Sequence, residues 1–282
     1  MAAARDGASP LREVVEVASG VLVATSRRYE TTSTIIVSGD TALLVDPAWD
    51  PDELAGMPAL LIDRGLRCTA GLATHVHYDH VLWHPELPDV PRWATPWTVT
   101  QWSERRDELL APLRGDLPED LLAHAGHLAP VPDRPRPEPY PLPWADREVL
   151  LHEHDAHAPC HVAAEIVDAR VMLAGDMLSD VELPMPGDED LAAYLAGLDR
   201  LAPVAARSRL LVPGHGTPTD DPLARVDADR RYIDDLLAGR DSDDPRRALP
   251  GMADLHESNV RLAEASGTRG RGARPAPRGG DV

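Results

Sequence analysis

The sequence predicts an α/β fold in one domain built from two related layers. Two observations carry this reading. Short apolar runs of strand type recur in both halves of the chain, and several end on a residue able to bind a metal. Between and after them lie longer stretches with apolar residues at helical spacing. At 282 residues the chain is long enough for one large domain or two small ones. Recurrence of the same strand-and-ligand pattern in both halves favours one.

The elements follow in order. Residues 34–37 (TIIV) and 42–45 (ALLV) read as strands joined at Ser38-Gly39-Asp40, a hairpin turn signal, and Asp46 ends the second run. Residues 51–64 carry apolar side chains at near-helical spacing, with Asp50 as N-cap, although Pro58 argues against one unbroken helix. Residues 67–74 form a short buried strand. Helices are expected over 95–113, 117–128, 188–202 and 222–238, the last two as outer-layer helices.

The strand at 67–74 runs into Thr74-His75-Val76-His77-Tyr78-Asp79-His80. Four side chains of metal-binding type fall within six positions. Burying them without partners would cost roughly 2–7 kcal/mol per group, so a pair of closely placed divalent metals is the simplest explanation. Three later segments continue the pattern: residues 151–162 (LHEHDAHAPCHV), residues 171–176 (VMLAGD) and residues 210–216 (LLVPGHG). The last two read as strand, tight turn, then ligand, which puts Asp176 and His215 on loops at strand ends, with His157 joining them.

This set of motifs, spread over residues 21–216, resembles the metallo-β-lactamase-fold superfamily of metallohydrolases, in its glyoxalase II and lactonase-like branch. The resemblance implies a four-layer αββα sandwich of two mixed β-sheets flanked by helices. It also implies a dinuclear site. His75, His77 and His157 would hold one metal; Asp79, His80 and His215 the second; Asp176 would bridge both. Asp46 would orient a metal-bound imidazole from behind. Imidazole and carboxylate suit zinc, two per chain, with iron or manganese as alternatives.

The implied activity is hydrolysis of an ester, thioester or lactone by metal-bound hydroxide, with Asp79 and Asp176 as the catalytic carboxylates. A mononuclear iron oxygenase acting on a persulfide and a phosphodiesterase are the alternatives on the same fold, and a non-catalytic binding protein is a third. The chain departs from the family at its third block, where Ala156-His157 and Cys160-His161 stand in place of a Gly-His turn, so His154 and His161 rival His157 as ligands. His152 and His154 alternate as exposed-face residues or partners behind the ligands. Trp83, His84 and His161 are candidate pocket residues. His124 and His127 read as surface or cap groups, and His256 as remote from the site. Cys160, near the proposed site, reads as a small apolar filler or a reactive thiol, and two cysteines make no disulfide framework. All 28 basic residues are arginine. The missing lysine, and an Asp at 176 where β-lactamases carry Cys or Ser, disfavour a β-lactam substrate.

Domain organisation is expected as residues 11–240 for the metal-binding domain, with a Trp- and Pro-rich insert at 83–144, a helical extension at 241–266 and a disordered tail at 267–282. The insert holds five of the six tryptophans and is read as the wall or lid of an apolar pocket, as a second small core, or as the contact of a homodimer. The net charge of −19 excludes nucleic acid as the expected partner. No run approaches the ~20 apolar residues of a membrane span, and the first residues lack the apolar core of a signal peptide. A cytoplasmic enzyme with a small-molecule substrate is the expectation.

Overall fold

The protein is seen in a computed structural model that describes residues 14–47, 50–132, 139–144 and 146–272, with side chains to residue 266. The N-terminal stretch read for a leader, residues 133–138 of the proline-rich run and residues 273–282 of the expected tail lie outside the described residues.

Four strands open the chain as an antiparallel meander: β1 (Val14–Ala18), β2 (Val21–Thr25), β3 (Thr32–Ser38) and β4 (Thr41–Val45). The β3–β4 hairpin closes where the turn residues predict, with Ser38 paired to Thr41 and Gly39 at φ 59°. Helix α1 (Pro51–Asp63) returns the chain to β5 (Arg67–Leu72), which lies parallel to β4. Two expectations change here. The helix continues through Pro58, because Leu54, Met57, Leu60 and Leu61 form one buried face across it. Asp50 sits at the N-cap position, yet its carboxylate makes no cap and instead binds Arg27 and Arg28.

Residues 83–144 are woven into the sandwich rather than appended to it. They supply β6 (Arg92–Ala94), α2 (Pro96–Leu110), α3 (Glu119–His124), β7 (Ala129–Pro130) and β8 (Tyr140–Pro141). Strands β6 and β7 extend the first sheet, and β8 pairs with the second. Thr95 caps α2 by accepting the Thr98 N–H. The expected helix at 117–128 shrinks to α3, with Leu121, Leu122 and Ala125 packed around Trp102 in a core of its own.

The second sheet is built from β9 (Val149–His154), β10 (His161–Ile166), β11 (Val171–Leu173) and β12 (Leu210–Val212), with β8 at one edge. Helix α4 (Leu191–Arg207) starts at Asp190, whose carboxylate accepts the Ala192 and Ala193 N–H groups. Helix α5 (Pro222–Leu237) starts at Asp221 in the same way, through Ala224 N–H. The final helix, α6 (Met252–Gly272), carries the chain six residues into the stretch where a tail was expected.

Among the described residues the strands form a seven-stranded and a five-stranded sheet. Strand alternation sorts their side chains into layers. Val21, Val23, Ile36, Leu43 and Leu72 meet Val149, Leu151, Val162, Ile166 and Val212 between the sheets. Leu22, Ile35 and Leu44 turn outward onto Met57 and Leu61 of α1. Ala163, Met172 and Leu211 turn outward onto Tyr194, Leu198 and Leu201 of α4 and onto Tyr232 and Ile233 of α5. The result is the αββα sandwich of two mixed sheets. No described helix is long and apolar enough to cross a membrane.

Candidate metal centre

Parallel neighbours β4 and β5 end together, as do β11 and β12. The backbone leaving these four ends carries Asp46, the 74–80 motif, Asp176 and His215, and the β9–β10 loop adds His157. Direct bonds lock the two sheets together here: Thr32 N–H donates to Gly214 O at 2.7 Å and Val162 N–H to Thr74 O at 2.9 Å. The turns are tight enough that Tyr29, Glu30, Asp46, Cys160 and Leu178 adopt positive φ, as does Gly175 beside Asp176. Non-glycine residues in that region are uncommon, and they concentrate where a site over-determines the backbone.

Two groups of ligand-type side chains result. His75, His77, His157 and Asp176 form one; Asp79, His80 and His215 form the other; within each, one ligand atom per residue lies within 4.8 Å of the rest. In the first group His77 Nδ1 is 3.0 Å from both His75 Nε2 and His157 Nε2, and Asp176 Oδ2 is 3.4 and 3.5 Å from those two Nε2 atoms. In the second, Asp79 Oδ2 is 3.5 Å from His80 Nε2 and 3.4 Å from His215 Nε2. Asp176 belongs to both, since its Oδ1 lies 3.1 Å from His80 Nε2 and its Oδ2 3.3 Å from His215 Nε2.

Four of these imidazoles have an oxygen on the nitrogen that faces away, as metal-bound histidines do. His80 Nδ1 faces Asp46 Oδ2 at 2.9 Å. His75 Nδ1 faces Thr74 Oγ1 at 3.0 Å, and Thr74 Oγ1 in turn donates to Asp46 Oδ2 at 2.7 Å. His157 Nδ1 faces Met185 O at 3.1 Å and His215 Nδ1 faces Tyr29 O at 2.8 Å. Asp46 thus orients an imidazole from each group, His80 directly and His75 through Thr74.

The electrostatics of the groups differ. Burial holds His75 and His77 below the usual imidazole range and pushes His157 down to about 3. At His80 and His215 burial acts in the same direction, but Asp176 and Asp79 outweigh it; His80 rises well above its usual value and His215 rises to about 10. Asp176 is held well below the carboxylate range against its own burial, chiefly by His80 and His215.

The donor set fits a cation. His80 Nε2 and Asp176 Oδ1 are buried with no hydrogen-bond partner. Native interiors leave few such atoms, and these two are atoms that an ion held between His80 and Asp176 would join.

Other expected residues fall elsewhere. Trp83 is buried in the core between the first sheet and α1, against Gly71 and under the Arg92 guanidinium. His84 is half-buried and accepts the Glu86 N–H. His161 and His154 are fully buried behind the first group, and neither belongs to a ligand group. His152 is buried as well, against Glu165 at 2.8 Å. The alternation that suggests an exposed face points these side chains under α4 instead. His124 ends α3, His127 is partly exposed near Arg92 and Arg106, and His256 packs on the Tyr232 hydroxyl at 3.0 Å. Cys160 is half-buried; Cys68 is a core residue whose thiol burial pushes up to about 12.

Several contributors escape sequence reasoning. Ser179 Oγ donates to His215 O at 2.8 Å and accepts the Val181 and Glu182 N–H groups. Arg246 then ties down Ser179 O and Glu182 O while paired with buried Asp229. Burial pushes the Glu182 carboxyl up to about 7, against the pull of His215. Trp102 Nε1 donates to Val76 O at 2.9 Å, bracing the motif between His75 and His77. Ser179 and Glu182 lie three and six residues after Asp176; Trp102, Asp229 and Arg246 arrive from distant segments.

A profile of the Metallo-beta-lactamase superfamily matches residues 27–231. Among solved structures, a metallo-beta-lactamase family protein from Thermus thermophilus superposes with a TM-score of 0.60 at 20% identity, covering 90% of this chain and 95% of that one. A beta-lactamase domain protein from Burkholderia ambifaria gives 0.58 at 22% identity, over 83% of this chain and 80% of that one. A metallo beta lactamase from Erythrobacter litoralis gives 0.55 at 17% identity, over 77% and 96%. At these identities the structures speak to the fold.

Proposed function

We propose that this chain, which belongs to the metallo-beta-lactamase superfamily, is a hydrolase that uses two metal ions to cleave an ester, thioester or lactone in a small molecule. The observation that carries this reading is the pair of ligand groups sharing Asp176, with two buried ligand atoms otherwise unpartnered. His75, His77, His157 and Asp176 would hold one ion, and Asp79, His80, His215 and Asp176 the other. Zinc suits this set best, with iron or manganese as the alternatives. Bound there, the ions supply Lewis acidity and a water that ionises near neutral pH.

The remaining work falls to the protein. Asp46 keeps His80 and, through Thr74, His75 in the tautomer that leaves Nε2 free. The Asp79 and Asp176 carboxylates would orient the attacking water, and one of the two would take its proton and pass it to the leaving group. The absence of lysine and the presence of Asp176 support an ester-type substrate over a β-lactam, in the glyoxalase II and lactonase-like branch. The test is metal content of the purified protein by mass spectrometry, alongside an ester, thioester and lactone panel. About two zinc ions per chain with chelator-sensitive hydrolysis is expected, together with loss of turnover in folded His77→Ala and Asp176→Ala variants. Unchanged hydrolysis in both variants would remove this mechanism, and a single iron without hydrolysis would favour the oxygenase chemistry.

A further inference from the structure

His161 is fully buried, yet it makes no part of either ligand group. Its ring lies against the ring of His75, with centroids 4.8 Å apart and planes tilted by 30°. Its Nε2 accepts the backbone N–H of Asp176 at 3.2 Å. Its Nδ1 lies 3.1 Å from His154 Nε2, and those rings also face one another at 4.6 Å. A Cβ at Gly175 would fall onto the His161 ring, so the residue before Asp176 is glycine both for its φ of 55° and for the space this imidazole takes.

The hydrogen bonds set the tautomer. An imidazole that accepts at Nε2 carries its proton on Nδ1, which it then donates to His154 Nε2. Two neutral imidazoles sharing one proton in this way have one lone pair left for a backbone donor. Two donors compete for it: Asp176 N–H at 3.2 Å and Ala156 N–H, 3.3 Å from His154 Nδ1. With the lone pair assigned to the Asp176 N–H, beside which the His161 ring packs against Gly175, His154 Nδ1 carries a proton and the Ala156 N–H has no acceptor there.

We propose that His161, backed by His154, is a positioning residue for the metal centre: it fixes the Gly175–Asp176 turn by its Nε2 lone pair and supports the His75 ring from behind. The role rests on the two-metal reading above. His161 touches no substrate and reaches Asp176 only through the backbone, so its loss changes where the shared carboxylate sits rather than removing a ligand.

The test is cobalt(II) titration of the metal-free protein, followed by its visible absorption spectrum. His161→Phe keeps a ring of similar size but offers no acceptor; His161→Gln restores an acceptor near the Nε2 position. Groups behind metal ligands typically alter affinity 10–100-fold. Cobalt affinity in His161→Phe is expected to fall by roughly that factor with a changed spectrum, and to recover toward the parent in His161→Gln. Parent-like affinity and spectrum in His161→Phe would overturn the proposal, as would a His161→Gln variant as weak as the Phe variant, since packing alone would then explain the effect. If His161→Phe does not fold, His154→Leu carries the test by removing the acceptor that sets the tautomer; a shifted cobalt spectrum supports the role and an unshifted one overturns it. A parent protein that takes up no cobalt fails the two-metal reading itself, an outcome distinct from variants that bind like the parent.

Discussion

The two ligand groups share a carboxylate but are built on opposite electrostatic plans. The first gathers three imidazoles that burial keeps neutral, ready to bind a cation without giving up protons. The second sets Asp79 and Asp176 around His80 and His215, and these carboxylates raise both imidazoles above their usual range despite burial. The supports differ as well. Trp102, from the tryptophan-rich segment, braces the backbone between His75 and His77. Ser179, held by Arg246, braces His215. Equivalent ligand types therefore differ because of the charges around them, and metal uptake by the second group should release more protons than uptake by the first.

The largest expected effect comes from the residue common to both groups. Asp176→Ala should lose metal from each and lower hydrolysis by roughly 10³-fold or more, as expected when several kcal/mol of cation stabilisation disappear. Mass spectrometry and a rate assay check it, and a variant losing metal from only one group would break the symmetry of the bridge. Next, Asp46→Asn should weaken metal binding about 10–100-fold. Asp46 serves His80 directly but His75 only through Thr74, so zinc competition titrations should show the larger loss at the second group.

The pH dependence of the metal-free protein separates the groups further. His157, with a folded value near 3, stays neutral while the unfolded chain takes up a proton below about 6.5, so acidification from 6.5 toward 3 removes stability. His215, with a folded value near 10, works in reverse: its contribution is complete below about 6.5 and is lost as pH rises toward 10. These two groups make melting temperature in chelator fall toward pH 3 and toward pH 10, with Glu182, raised to about 7, adding to the loss as pH rises through 7, and metal should flatten the alkaline limb. A stability that rises steadily from pH 6.5 to 10 would contradict the second group's charge state.

The smallest effects test the supports. Trp102→Phe removes the bond to Val76 O and Ser179→Ala the bond to His215 O, each worth about 1 kcal/mol. Chemical denaturation should register both losses, while metal titration should place the first on the three-imidazole group and the second on its neighbour.

Much of this was legible in the chain because it is local. The 74–80 motif holds four of the seven ligand-type side chains of the two groups, the Gly-Asp and Gly-His pairs announce strand ends, and Ser38-Gly39-Asp40 announces a hairpin. Backbone geometry alone carries such signals over a few residues. Reasoning failed where a side chain's meaning depends on its neighbour across space. Asp50 looks like a cap and serves Arg27 and Arg28. His154 and His161 share the ligand-rich stretch with His157, and only the packing of α4 over β9 and β10 turns them away from the ligand groups.

By itself, then, the sequence determined the ligand types, their attachment to strand ends and the alternation that layers the sandwich, since each depends on residues a few positions apart. Which imidazoles are pushed below their usual range, which are raised above it, and which stand behind others was decided by tertiary structure. Burial and the field of carboxylates arriving from β4, β11 and the 74–80 turn exist only once the two sheets meet.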